Sequence, residues 1–259
     1  MLLNAKTEYY DWNDDLVKAC RDFVKFKDDM DMANRTSYIH PLLVRKIRRL
    51  AGYYEPSRNK KADGMLRRPA TAINPYVFCC KTLPFLCTPN DVINEYNKRL
   101  IYPQLVVSGT YRTYDTDNLG DYSNNFPDKV MKVSDDFILD ESENSGDLKY
   151  YRYDILLLYV ASEGKNRVEL FKRHRSSMMA WVTVLPSIPA IELKIVRLRP
   201  FNVWAVRYNN QLRILPFSIH TLAIYRALGI AEDKAKWDFF ALTKLRKARL
   251  SAVSSQMER

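Results

Sequence analysis

The sequence predicts an α+β chain, and three observations carry that expectation. Apolar residues recur at helical spacing within the first 30 positions. Beyond residue 103 the period changes to two, in segments rich in Val, Ile, Leu, Tyr and Trp. After Pro216 the helical spacing returns. Helices, then a long β region, then helices is the order of an α+β fold.

Residues 14–30 place Leu16, Ala19, Cys20, Phe23, Val24 and Phe26 on one stripe with charges between them, which predicts an amphipathic helix. Pro41 suits a first helical position; Leu43, Ile47 and Leu50 follow on a stripe, and Gly52 stops the helix. Residues 55–75 carry Pro, Gly and charge without periodicity and read as a loop. Thr88-Pro89-Asn90-Asp91 supplies a cap, a first-turn Pro and an early carboxylate, which predicts a short helix over about 89–100. Strands are expected near 104–113, 129–134, 149–161, 166–172, 178–185, 190–198 and 201–208, with polar loops at 114–128 and 140–148. A helix over 217–228 precedes Gly229, placed as a C′ glycine, and a second helix over 232–253 carries Lys244, Arg246, Lys247 and Arg249. Two lobes are expected, with domains 1–148 and 149–259.

Composition limits the function classes. With 47% apolar and 27% charged residues, the chain of 259 can bury a core. Its 7 glycines are scattered, so the Gly-rich loops that cradle phosphates by close backbone approach are missing and nucleotide-binding P-loop and Rossmann readings fail. Cys20, Cys79, Cys80 and Cys87 contain no C-x-x-C, which suggests free thiols in a reducing compartment. His40, His174 and His220 are scattered, and the serine pairs Ser176-Ser177 and Ser254-Ser255 lack a nucleophile-elbow context. Asp115-x-Asp117-x-Leu119-Gly120 opens like a calcium loop, but Leu119 takes a ligand position and Phe126 stands where the closing Glu belongs. No catalytic residue, metal site or cofactor is therefore expected in this chain. The N-terminus has no apolar signal core, and the longest apolar run, Ile155–Ala161, is far below the ~20 residues a spanning helix needs, so an intracellular protein that avoids membranes is expected.

The formal charge of +11 points to a polyanionic partner. Arg45, Lys46, Arg48, Arg49, Arg58, Lys60, Lys61, Arg67 and Arg68 stand against Glu55 and Asp63, a net of +7 between 45 and 68. Residues 115–147 hold ten acidic side chains against Lys129 and Lys132. The basic cluster could neutralise phosphates with counterion release, Tyr53 and Tyr54 stacking on bases, or could grip an acidic subunit or simply face solvent. Lys172, Arg173 and Arg175, around His174, fit a cleft-edge loop or a plain hairpin turn.

Five blocks resemble one family. Thr82-Leu83-Pro84-Phe85-Leu86, read as the end of a strand, resembles the I-P-I-M element of the second-largest, β-type subunit of multisubunit DNA-directed RNA polymerases. Leu105–Thr113, with Gly109 and Arg112, resembles the protrusion block that follows, with Ser108 and Tyr111 in place of the family's Asn and Glu. Ala180-Trp181-Val182-Thr183-Val184 resembles a bacterial strand of the same region. Trp204–Arg207 and Arg213–Pro216 resemble the strand and basic turn before Arg226-Ala227-Leu228-Gly229, the R-A-L-G run of the lobe helix, here ten residues after Pro216. The order of the blocks agrees with the family over residues 80–235. Pro84, Gly109, Arg112, Trp181, Pro216, Arg226 and Gly229 are the family-like structural positions. Arg226 is read as tying the helix to a neighbouring carbonyl or carboxylate, and Trp181 and Trp204 as core.

The resemblance implies a non-catalytic N-terminal β-type subunit or split fragment, viral or phage included, that helps form the DNA cleft. Its partners would be the rest of the β-type polypeptide, a β′-type subunit and DNA. The complex would be a nucleotidyltransferase whose Mg²⁺ lies in the partner subunits, and its place the cytoplasm, or a host cytoplasm or virion. The alternative is a basic structural or nucleic-acid-binding protein of a virion or ribonucleoprotein assembly.

Overall fold

A computed structural model describes residues 13–36, 73–88, 96–109, 148–162, 168, 171–172 and 177–253. The expected helix at 41–52, the strand at 129–134, the loop at 114–128 and nearly all of the loops at 55–75 and 140–148 lie outside them. The fold is α+β, with four named helices and two mixed sheets among the described residues.

Helix α1 spans Asp14–Thr36. Asn13 opens it, its Oδ1 accepting from the Asp15 amide at 2.8 Å, and Asp14 and Asp15 sit where first-turn carboxylates complement the helix dipole. The predicted stripe, Leu16, Ala19, Cys20, Phe23, Val24 and Phe26, is buried, and Met30 continues it. Helix α2 spans Pro75–Thr82. Here the expectation of a strand that ends with Thr82–Leu86 is corrected. Asn74 is an N-cap whose side chain accepts from the amides of Tyr76 and Val77, and Pro75 fills the first turn, where its missing N–H costs nothing.

The first sheet has the order β1-β5-β3-β4-β2, from β1 (Asn97–Ile101), β2 (Val106–Val107), β3 (Lys149–Tyr153), β4 (Tyr159–Ala161) and β5 (Met178–Leu185). The helix expected at 89–100 is overturned over its last residues, 97–100, which pair antiparallel with β5; 89–95 lie outside the described residues. Cross-strand pairing outweighs local propensity there, with the Lys98 ammonium 5.0 Å from the Trp181 ring centroid. Of the strand expected at 104–113, residues 110–113 lie outside the described residues; over 104–109 a 3₁₀ turn at Pro103–Leu105 precedes the two residues of β2, which pair parallel with β4. The expected strand 149–161 is two strands. Asp154 breaks it, its Oδ1 accepting from the amides of Ile155 and Ser187. The strand expected at 166–172 is also corrected, since Val168, Phe171 and Lys172 are helical, with Val168 and Phe171 buried at i, i+3 spacing.

The second sheet has the order β8-β7-β6-β9, from β6 (Leu193–Arg199), β7 (Val203–Tyr208), β8 (Gln211–Ile214) and β9 (Lys236–Trp237). A 3₁₀ turn at Ala190–Glu192 replaces the start of the strand expected at 190–198. Asn209 takes φ 51° in the two-residue link from β7 to β8, a left-handed conformation that Asn tolerates. Helix α3 spans Ser218–Ala227 and helix α4 spans Ala241–Val253. The helix expected over 232–253 therefore starts nine residues late. Residues 231–237 instead run beside β6, the Ile195 amide donating to the Ala231 carbonyl and the Asp233 amide to the Ile195 carbonyl. Asp238 then caps α4, accepting from the Phe240 amide at 2.9 Å.

The domain boundary expected at 148/149 runs through the first sheet, which takes β1 and β2 from before it and β3, β4 and β5 from after it. One apolar core reaches from Leu16 to Val253, and a small second cluster, Val196, Leu198, Val203, Ala205 and Ala241, lies between the second sheet and α4.

Inside the first core lies a charge. Lys27 is fully buried, and its ammonium donates to Asp31 Oδ2 and, at 2.7 Å, to the Ser108 carbonyl; Asp31 Oδ1 accepts from the Ile73 amide at 3.1 Å. Removing one partner of a buried pair strands the other charge. Asp31→Asn is expected to lower the unfolding free energy by about 3–5 kcal/mol. Lys27→Met/Asp31→Leu should cost less than the sum of its single substitutions. Urea unfolding followed by far-UV circular dichroism measures both; additive single effects would refute the coupling.

Candidate functional site

Most of the sequence-predicted cationic residues, Arg45, Lys46, Arg48, Arg49, Arg58, Lys60, Lys61, Arg67 and Arg68, lie outside the described residues, as do Arg112, Arg173 and Arg175. Lys172 is described, and it is not an open phosphate contact. Its side chain is 11% exposed, and its ammonium donates to Asp28 Oδ2 at 2.8 Å and Ser108 Oγ at 3.2 Å. It joins Lys27 at Ser108, beside the buried Gly109.

Of the remaining family-like positions, Pro84, Pro216, Arg226 and Gly229 come together around α3, while Trp181 lies on β5. Pro216 precedes it, and the Pro216 carbonyl accepts from the buried Thr221 hydroxyl at 2.9 Å. Gly229 ends it with φ 71°, while the Ile230 amide reaches back to the Tyr225 carbonyl at 3.1 Å and the Gly229 amide to Arg226 at 2.9 Å. Arg226 binds a carboxylate as expected, Nε at 2.9 Å and Nη2 at 2.7 Å from Glu232 Oε1. Its guanidinium also stands 5.3 Å from the Trp204 ring centroid. Trp204 and Trp181 are half-buried under these cations and not enclosed core residues.

Tyr225, next to Arg226, is fully buried, and its hydroxyl donates to the Pro84 carbonyl at 2.7 Å. Burial pushes its phenol well above the ordinary value, so it stays a neutral donor. Pro84 of the first family-like block and the residue just before the R-A-L-G run, 141 residues apart in the chain, thus share one hydrogen bond. Phe85, which follows Pro84, packs on Tyr208 with ring centroids 5.7 Å apart.

The four thiols lie close together in electrostatic terms, Cys20, Cys80 and Cys87 each feeling Cys79. Burial pushes Cys20 up to about 12 and Cys80 up to about 11, and raises Cys87 well above its usual value. The Cys80 thiol lies 3.7 Å from the Tyr153 hydroxyl. Protonated, enclosed thiols are poor nucleophiles. Among the described residues no group of three or more His, Cys, Asp or Glu is placed to hold a metal ion. An open groove of about 460 Å³ between α1 and α3 carries Asp15 and Asp22 against Lys18 and Arg226, charges of both signs.

Sequence reasoning missed one surface. Trp237, Phe239 and Phe240 are 71%, 68% and 73% exposed, and Leu242 is 49% exposed beside them. The Trp237 and Phe239 rings stack with centroids 6.0 Å apart. The available signal was Asp238 between Trp237 and Phe239: an N-cap residue marks a helix start at this point and leaves Trp237 outside the helix.

No protein family, curated protein or solved structure matches the chain. Among the described residues no helix is long and apolar enough to cross a membrane.

Two measurements test this site. Tyr225→Phe leaves the Pro84 carbonyl unpaired and is expected to cost about 1–3 kcal/mol. Gly229→Ala, where an added Cβ meets nothing within 4 Å, should cost about 1–2 kcal/mol from backbone strain alone. Thermal melts compare both with wild type, and an unchanged Tyr225→Phe midpoint would refute the tie. Titration of the native chain with an aromatic disulfide reagent at pH 8 should leave Cys20 and Cys87 unmodified until denaturant is added. Rapid modification of either would contradict their enclosure.

Proposed function

We propose that the chain is a non-catalytic N-terminal β-type subunit, or a split piece of one, of a multisubunit DNA-directed RNA polymerase. In this reading it forms one side of the DNA cleft, holds duplex without sequence preference through its cationic residues, and docks on the completing β-type polypeptide and a β′-type subunit. The complex carries out nucleotidyl transfer, its Mg²⁺ held by the partner subunits, while this chain supplies shape and charge. The setting is intracellular, in a host cytoplasm or virion if the source is viral.

The observation that carries the reading is the Tyr225 to Pro84 hydrogen bond. It brings the first family-like block against the last. Two further features agree. Arg226 and Gly229 act as the ends of one helix-terminating device, which gives the R-A-L-G run a physical reason. The net charge of +11 suits a polymer of phosphates, whose contacts release counterions and weaken steeply with salt.

A tagged chain expressed in its source organism and purified at moderate salt is expected to bring down, in equal stoichiometry, large subunits carrying the metal-binding Asp motif. Mass spectrometry reads the outcome. Recovery of no polymerase subunit would sink the proposal, and salt-resistant self-assembly of the isolated chain would favour a structural virion or ribonucleoprotein component.

A further inference from the structure

The exposed rings at the start of α4 sit on an edge. Strand β9 is the last strand of the second sheet, and Trp237 belongs to it. Ala241 turns inward and is fully buried, and Leu245 packs beside it against the second cluster. The other side of α4 is thereby open, with Leu242 and Arg246 at i, i+4 on one exposed face. Four large apolar side chains within six residues, all between half and three quarters exposed, have no folding role that would account for them.

Charge narrows the occupant. The three acids between Leu228 and Val253 are each taken up by an ion pair: Glu232 by Arg226, Asp233 by Arg207 at 2.6 Å, and Asp238 by Lys244 at 2.6 Å. The Lys244 hydrogen bond holds the Asp238 carboxyl below its ordinary value, so that pair stays ionised at neutral pH. Among the described residues Lys234, Lys236, Arg246 and Lys247 have no ion-pair partner, and they bracket the rings with positive charge. A second copy meeting this surface with its own equivalent surface would bring the same sign and be repelled. The remaining choice lies between a nucleic acid and a polypeptide with carboxylates around an apolar face. Trp237 and Phe239 already stack on each other, so each ring has one face used and less to offer a base. Leu242 and the open strand edge match apolar side chains and main-chain hydrogen bonding, which a polypeptide supplies.

We infer that Trp237, Phe239, Phe240 and Leu242, flanked by Lys236, Arg246 and Lys247, form the docking surface for an acidic-rimmed apolar face of a protein partner. Resting on the polymerase reading, that partner is the completing β-type polypeptide. The rings would be the buried anchors of the contact and the cations its rim, which sets approach and salt sensitivity more than final affinity.

The test uses the tagged full chain in its source organism, with the large polymerase subunits scored by mass spectrometry. Trp237→Ala/Phe240→Ala is expected to reduce their recovery roughly tenfold or more, the scale of lost interface anchors. Arg246→Glu/Lys247→Glu should reduce it at low salt and lose its effect at high salt. All four positions are exposed or at an exposed edge, and matching thermal melts verify that the variants remain folded. Undiminished recovery by the ring variant overturns the docking surface while leaving the polymerase reading intact. Failure of wild type to recover any polymerase subunit overturns both. Recovery that disappears on nuclease treatment, together with quenching of Trp237 fluorescence by single-stranded oligo(dT) that a Trp237→Phe control lacks, assigns the surface to nucleic acid and overturns the protein partner.

Discussion

The ammonium of Lys27 is the constraint around which the first core is arranged. A cation with no access to water survives only with full compensation. Here the compensation comes from three directions: Asp31 one turn along α1, the Ser108 carbonyl just past β2, and the Phe78 ring of α2 at 5.8 Å from the ammonium. Asp31 in turn holds the Ile73 amide just before α2. Helix α1 therefore fixes where α2 begins and where β2 ends, with Lys172 adding a second tie from Asp28 to Ser108. An apolar residue at 27 would pack there as well, but it would specify none of these positions.

What was legible in the sequence was the periodic burial. The α1 stripe and β5 to β7 read out because each buries a regular series of side chains against one neighbour. The failures have a common physical form. Residues 97–101 carry a weak local preference that pairing with β5 overrides, and the seven residues 155–161 are all apolar, so periodicity could not separate the two strands on either side of the turn that Asp154 imposes. Asn74-Pro75 and Asp238 are local cap signals, the first within a segment that reads as a loop and the second within one that reads as helix interior. Buried Lys27 was invisible for another reason: a lysine inside an amphipathic pattern reads as its solvent face, and only tertiary contacts show otherwise.

The same holds for the candidate site. Arg226 and Gly229 were legible because helix termination is local chemistry. Tyr225 was not, since its partner Pro84 is remote in the chain. Lys172 stood out as a surface cation but is consumed by the fold, whereas the rings of 237–240 are exposed although hydrophobicity alone would have buried them. Charge and hydropathy say which side chains seek partners. They do not say whether the partner belongs to the same chain.

The reach of the first core bears on how the chain is made. Leu16 and Val253 belong to one apolar cluster, and Tyr225 closes against Pro84. On a ribosome, α1 and the first sheet emerge long before α3 and α4 exist to cover them. Contacts of such high sequence separation form slowly and leave apolar surface open meanwhile. Until α3 and α4 are synthesised, the apolar side chains of α1 and the first sheet that they cover have no partner within the chain.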